Sequence, residues 1–509
     1  MGAKISSLRE WAVERFAMGA VLPRERLGSV FRALAVFVLM SGALAFIQFG
    51  TPNLVGNDGY YHIKMAALMG AEGLTPTFEW LPLTVLNPAE FVDHHFLFHI
   101  LLIPFTWAFD LLLAAKVATV VFAALALTVL WWLLRAQHVP YAGLWAAGLW
   151  AVSQGFLYRM NMPRAQSLSL LMLVLGVHWI LQGHHRRLLP LAFLYVWLYN
   201  AFPLLLAVAA AYALATRLPE GRWAWRPLVW VAAGIALGLV VNPYFPENLL
   251  FVYRHLAPKL SDATALSVGS EWYPYKTTQL MENAGLALLV FLSGVVALGL
   301  HEKRMDAPTA MALFLALGFG GMLFQSRRFV EYAPPFWLLF AALTWSPLLR
   351  NAAARWRRWL PAAGIFVLVP FLWLSLAAAR KDLQKNTASY ARYAEASAWL
   401  VENTPAGSRV FQTDWDDFPR LFYYNTHNIY TIGLDPSYMQ LYDADLYAQW
   451  VAITRGDLTP AGEVIAGDYG ADFALTDLRH KGFLRAAAQD ETLVEVYRDE
   501  YAVIFQVLP

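Results

Sequence analysis

Apolar positions in this chain gather into runs of helical length. The first extends from Phe31 to Gly50, and ten more follow at roughly 115–134, 141–158, 167–182, 188–200, 202–216, 227–245, 284–300, 308–325, 331–349 and 359–379. About 20 apolar residues span a hydrocarbon core as a helix, and such a helix satisfies its own backbone groups. The pattern therefore predicts a polytopic α-helical membrane protein with about eleven transmembrane helices. The 188–200 run is short, and Asn200 and Pro203 interrupt it. A further apolar segment, Phe96 to Leu113, carries His99, Pro104 and Asp110 and reads as an interfacial or re-entrant helix pair.

Lys and Arg concentrate in alternate loops, at Arg135, at Arg186 and Arg187, at Arg217, Arg222 and Arg226, at Lys303 and Arg304, and from Arg350 to Arg358. The positive-inside rule then places the N-terminal segment, residues 1–30, in the cytoplasm. Its cations are spread too widely, and its apolar run starts too late, for a cleavable signal. Residues 31–379 form the membrane domain, with a large first outer loop at 51–114, and residues 380–509 form an extracytoplasmic α/β domain. The strand candidates in that domain are Val410–Gln412, Ile429–Ile432, Asp472–Leu475 and Val503–Val507.

Composition sharpens this picture. Of 509 residues, 59% are hydrophobic and 15% charged, against about 25% charged in soluble domains. The 21 Trp and 23 Tyr suit interfacial belts. No cysteine is present, which excludes disulfides, thiolate zinc sites and a Cys nucleophile. A net charge of +2 gives no electrostatic case for nucleic acid as a partner. A bacterial or archaeal cytoplasmic membrane fits these features.

The candidate chemistry lies in the outer loops and the C-terminal domain. Asn57-Asp58-Gly59-Tyr60-Tyr61-His62 puts a carboxylate and an imidazole just beyond the first span, and i,i+4 spacing puts Asp58 and His62 on one helix face. Ionisable groups at that depth are costly; the competing reading is that Asp58 only caps a helix. Asp93-His94-His95, with His99 four residues on, has the residue types of a divalent-metal site or of a headgroup-facing belt. Glu271 stands alone beside Trp272 and Pro274. Arg159, Arg164, Arg327 and Arg328 are cations on the outer side, suited to phosphate recognition or to lipid headgroups. Trp415 and Asp416, between Asp414 and Asp417, resemble either a ligand pocket or a solvated loop with a Trp anchor.

The order of these residues resembles the GT-C superfamily of membrane glycosyltransferases, most closely the catalytic subunit of oligosaccharyltransferase. The likeness spans nearly the whole chain as architecture, but its motifs are short. Asp58 matches the family's first-loop Asp, implied to bind metal and acceptor. Glu271 in Ser267-Val268-Gly269-Ser270-Glu271 resembles the Glu of the family's mobile outer loop. Arg327 or Arg328 stands where the family's Arg faces a lipid pyrophosphate, and Trp415-Asp416 resembles a degraded Trp-Trp-Asp-Tyr-Gly motif. The second outer loop, Arg159-Met160-Asn161-Met162-Pro163-Arg164, lacks the family's acidic pair.

The resemblance implies transfer of a sugar or oligosaccharide from a polyprenyl phosphate or pyrophosphate to a protein, glycan or lipid acceptor at the outer face, by a chain able to act as a single subunit. On this reading Asp58 and Glu271 are catalytic, and Arg327, Arg328, Arg159 and Arg164 bind the donor phosphate. Trp415, Asp416, Tyr60 and His62 bind the acceptor. The implied cofactor is Mg2+ or Mn2+, held by Asp58, Asp93, His94, His95 and Glu271, with the two histidines standing in for the acidic pair. A transporter or flippase of a polyprenyl-linked lipid, and a non-catalytic glycan- or peptide-binding relative, are the rival classes. Transporters place their polar groups near the midplane, whereas here they gather in outer loops.

Overall fold

A computed structural model describes residues 24–261, 269–300, 305–352, 356 and 358–508. Most of the predicted N-terminal segment, together with Ser267 and Val268, lies outside them. Among the described residues five helices are long and apolar enough to cross a membrane: Gly28–Gln48, Leu111–Ala136, Thr277–Gly299, Ala307–Gln325 and Leu360–Lys385. Phe96–Ala108, Ala142–Val152, Gln166–Leu181, Leu204–Leu218 and Trp225–Val240 are apolar but shorter. The chain is thus a helical membrane protein.

Several of the predicted runs are interrupted locally. The 141–158 run breaks at Ser153, whose extended backbone separates Ala142–Val152 from Gln154–Met160. Ser153 Oγ then accepts from Phe156 N at 3.1 Å, capping the second helix. The 188–200 run forms a helix only over Leu188–Leu198 and ends at the extended Tyr199. Segment 96–113 also divides: Phe96–Ala108 stops before Asp110, which caps Leu111–Ala136 by accepting from Leu113 N at 3.0 Å.

Helix Leu111–Ala136 is central. Its apolar window is 67% buried by neighbours, against 11% for Leu360–Lys385, which leaves the latter at the periphery with its apolar side chains facing outward. Arg24–Gln48 and Gln166–Leu181 pack on the central helix.

The C-terminal domain carries a five-stranded sheet of order β2-β1-β3-β5-β4. Its strands are β1 (Arg409–Gln412), β2 (Ile429–Tyr430), β3 (Phe473–Asp477), β4 (Leu493–Arg498) and β5 (Ala502–Val507). β1 runs parallel to β2 and β3, and β5 runs antiparallel to β3 and β4. Every residue of β3 is buried, as expected of an apolar central strand with both faces covered. β4 escapes the sequence pattern because it is an edge strand with several exposed positions.

The sheet domain and the first outer loop share a core. Helix Phe418–Tyr424 packs on helix Asp58–Glu72. Phe422 meets Tyr61 at 5.6 Å and Trp80 at 4.9 Å between ring centroids. Tyr430 N donates to Trp80 O at 2.8 Å, and Val85 N to Tyr438 O at 3.1 Å, so the backbones are stitched together as well.

Candidate active site

Asp58 is the first residue of helix Asp58–Glu72, and Asn57 before it makes no side-chain cap. The Asp58 carboxylate instead meets Arg164 at 2.8 Å, which argues against a purely capping role. The turn is held from the sheet domain: Asn57 Nδ2 donates to Asp416 Oδ2 at 2.7 Å, and Asn57 Oδ1 accepts from Arg420 Nε at 2.9 Å. Gly59 lets Pro163 close over it, since a Cβ there would lie 2.1 Å from Pro163 Cγ.

Three arginines and three carboxylates meet beyond this turn. Glu271 receives Arg159 at 2.7 Å, Arg164 at 3.2 Å and Arg328 at 2.8 Å. Arg164 therefore links Glu271 to Asp58. Arg159 also pairs with the fully buried Glu331, donating through Nε at 2.6 Å. Arg328 donates to the Tyr199 hydroxyl and lies 4.9 Å from the Trp272 ring. Burial alone would raise the Glu271 carboxyl, but Arg328, Arg159 and Arg164 outweigh it and hold Glu271 well below the usual carboxylate range. At Asp58 burial wins over Arg164 and its pKa is raised.

These groups line a cavity of about 1070 Å³, with Asp58, His62, Trp415 and Asp416 on its wall. Asp416 is pushed up to about 7 by burial and by Asp58 and Asp414. Asp58 and Glu271 remain partly open, their side chains 29% and 24% exposed.

Several predicted residues are placed differently. Tyr60 is buried away from the cavity, with Arg420 4.2 Å above its ring, and Tyr61 lines the wall instead. Arg327 turns to Tyr273 O and the Tyr275 ring, which leaves Arg328 as the member of the pair on Glu271. Asp93 is committed to His99 Nδ1 at 2.7 Å and His95 N at 3.0 Å. His94 stacks on Phe251, and His95 on Tyr199. The expected ligand set of Asp58, Asp93, His94, His95 and Glu271 does not converge.

Among the described residues the grouping that could hold a metal ion is Asp414, Asp417 and Asp477, whose ligand atoms lie within 4.8 Å of one another. Asp477 already accepts from Arg392, Arg479 and His480, and Asp417 from the Tyr393 hydroxyl. Between Asp58 and Glu271 the donor set does not fit a divalent cation. The Arg164 guanidinium already bridges them, and a cation entering there would meet Arg159 and Arg328 as well.

Sequence reasoning missed Glu331, Asn57 and Arg420. Glu331 carried a signal, a carboxylate opening an apolar run. Asn57 and Arg420 are set by contacts more than 350 residues apart, and nothing local marks them.

No protein-family model matches the sequence, and no curated protein does. Solved structures do. The archaeal oligosaccharyltransferase AglB from Archaeoglobus fulgidus, in complex with an inhibitory peptide and a dolichol-phosphate, superposes with a TM-score of 0.63 at 14% identity, covering 91% of this chain and 71% of that one. ArnT from Cupriavidus metallidurans bound to undecaprenyl phosphate gives 0.58 at 16% identity, over 94% of this chain and 98% of that one. The chain shares the fold of these two proteins. The mycobacterial arabinofuranosyltransferase AftD, a longer protein, gives 0.56 at 15% identity over 96% of this chain and 42% of its own. The architecture expected from the residue order is thus shared with these structures, at identities where sequence alone retains only isolated motifs.

Proposed function

We propose that this protein is a membrane glycosyltransferase that moves a sugar or oligosaccharide from a polyprenyl phosphate or pyrophosphate to a protein, glycan or lipid acceptor at the outer membrane face. The observation that carries this reading is the convergence of Arg159, Arg164 and Arg328 on two partly open carboxylates at the wall of one cavity. Displacement at an anomeric carbon releases a phosphate anion, and fixed guanidinium groups stabilise that charge without reorganising. The lipid phosphates bound by AglB and ArnT on the same fold support a polyprenyl carrier.

Within the cavity, Arg328 holds the leaving phosphate, with Arg159 and Arg164 behind it. Glu271 keeps the three cations together and yields part of them to the incoming anion. Asp58, paired through Oδ2 with Arg164, orients the acceptor; Trp415 and Asp416 on the sheet domain bound the acceptor side. No step requires a divalent cation. The cytoplasmic N-terminus and outer C-terminal domain follow from the loop charges.

The test is turnover. Purified protein is incubated with labelled polyprenyl-linked sugars, native membranes as acceptor source, and chelator. Loss of sugar from the lipid that vanishes in Asp58→Asn and Arg328→Ala supports the reading. No turnover of any donor would count against it and favour a transporter or a binding protein.

A further inference from the structure

Beyond Arg328 the cavity changes character. The Arg328 guanidinium donates to the Tyr199 hydroxyl, and the Tyr199 ring stacks on His95 at 5.4 Å between centroids. His95 meets His94 at 4.1 Å and His94 meets His255 at 5.5 Å, while His255 Nδ1 lies 3.2 Å from the Tyr438 hydroxyl. A continuous run of rings thus leads from the arginine cluster to the sheet domain. Tyr199, His94, His95, His255 and Tyr438 all line the cavity, together with Asp435.

These rings are fixed from behind. His94 and His255 both stack on the buried Phe251, at 5.0 and 5.7 Å. His95 packs edge-on against His62 at 4.7 Å. His62 Nδ1 in turn lies 2.8 Å from His99 Nε2, and His99 Nδ1 lies 2.7 Å from the Asp93 carboxylate. His94, His95, His255 and Asp435 are only partly buried, so part of each faces the cavity. The wall is assembled from separate stretches of chain, the first outer loop, Tyr199, helix Glu247–Ser261 and the sheet domain, and none of them forms it alone.

This wall stands where a donor sugar has to lie. The Tyr438 hydroxyl is within electrostatic reach of both Asp58 and Arg328. Those groups are assigned above to the acceptor and to the leaving phosphate, and the anomeric carbon sits between the two. A sugar offers apolar C–H faces and hydroxyl edges. Rings cover the first. Imidazole, phenol and carboxylate groups meet the second, and because a hydroxyl both donates and accepts, either tautomer of each imidazole serves. We infer that this ring-lined end is the subsite for the donor sugar and that it selects a sugar without a carboxylate; the inference rests on the glycosyl-transfer reading above. The selection follows from charge. Among the described residues this end holds one carboxylate, Asp435, and neither Lys nor Arg. A uronic acid would bring a second negative charge there while Arg328 is taken by the phosphate, and a desolvated charge without a partner is costly.

The experiment measures binding to the full chain in lipid nanodiscs. The probes are undecaprenyl phosphate alone and undecaprenyl phosphate carrying glucose, galactose, mannose or glucuronic acid. Wild type is expected to bind at least one hexosyl carrier about tenfold or more tighter than the bare carrier, and to gain nothing from glucuronic acid. His255→Ala and Tyr438→Leu should abolish the hexose gain and still bind the bare carrier within about threefold of wild type, which also shows that they are folded. If either loses the bare carrier too, the shape-keeping His255→Gln and Tyr438→Phe replace it and should lose part of the gain. No hexose gain in wild type, a gain that survives these substitutions, or an equal gain from glucuronic acid overturns the inference. The glycosyl-transfer reading still stands in those cases if bare-carrier binding is lost in Arg328→Ala. Failure of wild type to bind any carrier, bare or glycosylated, would remove both.

Discussion

The two polar walls of the cavity solve different electrostatic problems. One side gathers guanidinium and carboxylate groups, matched three against three in Arg159, Arg164, Arg328, Asp58, Glu271 and Glu331. The other side runs from one buried carboxylate through two imidazoles. The ionic wall keeps charge in place for an anion that arrives and leaves. The imidazole wall offers no guanidinium, only one carboxylate behind two rings.

The sharpest way to break the ionic wall is at its buried end. Glu331→Gln leaves Arg159 with half of its compensation, and uncompensated buried charge costs about 3–5 kcal/mol; thermal unfolding in detergent should show a large loss of stability, greater than for Asp93→Asn on the other wall. Arg328→Ala removes the cation assigned to the leaving phosphate and should lower transfer by about 100- to 1000-fold, as expected for loss of one anion-stabilising donor. Arg327→Ala, whose guanidinium rests on Tyr275, should lose only a small part of that. A similar loss in both would show that the ionic wall is not selective between neighbours.

A smaller effect tests how closely the walls are held together. Gly59→Ala forces a methyl group against Pro163 and should cost about 1–3 kcal/mol as overpacking, read as a lower melting temperature with a displaced second outer loop. A separate effect is in pH. Asp416, pushed up to about 7 from 3.8, binds its proton more tightly folded than unfolded. Its contribution therefore favours the folded state below about pH 4 and is lost as pH rises toward 7. Asp416→Asn should flatten that part of the stability profile measured from pH 4 to 7.

Much of the ionic wall was legible in sequence, because cations in the loops between the Arg- and Lys-rich ones break the alternation of charge and ionisable groups beside apolar runs are costly. Asp58, Glu271, Arg159, Arg164 and Arg328 carry that signal individually. What the sequence could not supply was pairing: that Arg164 reaches two carboxylates, or that Arg327 and Arg328 point apart. The imidazole wall was misread for the same reason. Asp93, His94, His95 and His99 have metal-ligand spacing, but helix Phe96–Ala108 turns His99 back onto Asp93 and brings it to His62 across 37 residues. In the fold, apolar runs located the helices, while the break at Ser153 and the edge strand β4 depended on tertiary contacts that hydropathy does not encode.

On the proposed reading the three arginines form a site for a polyprenyl phosphate that works without a divalent cation. The most direct measurement is binding of undecaprenyl phosphate to the purified full chain with chelator present, compared between wild type and Arg328→Ala. The account predicts binding that chelator does not alter and that weakens at least tenfold in the variant, the loss of about 1.4 kcal/mol or more. Binding that disappears with chelator, or that is equal in the two proteins, would contradict it.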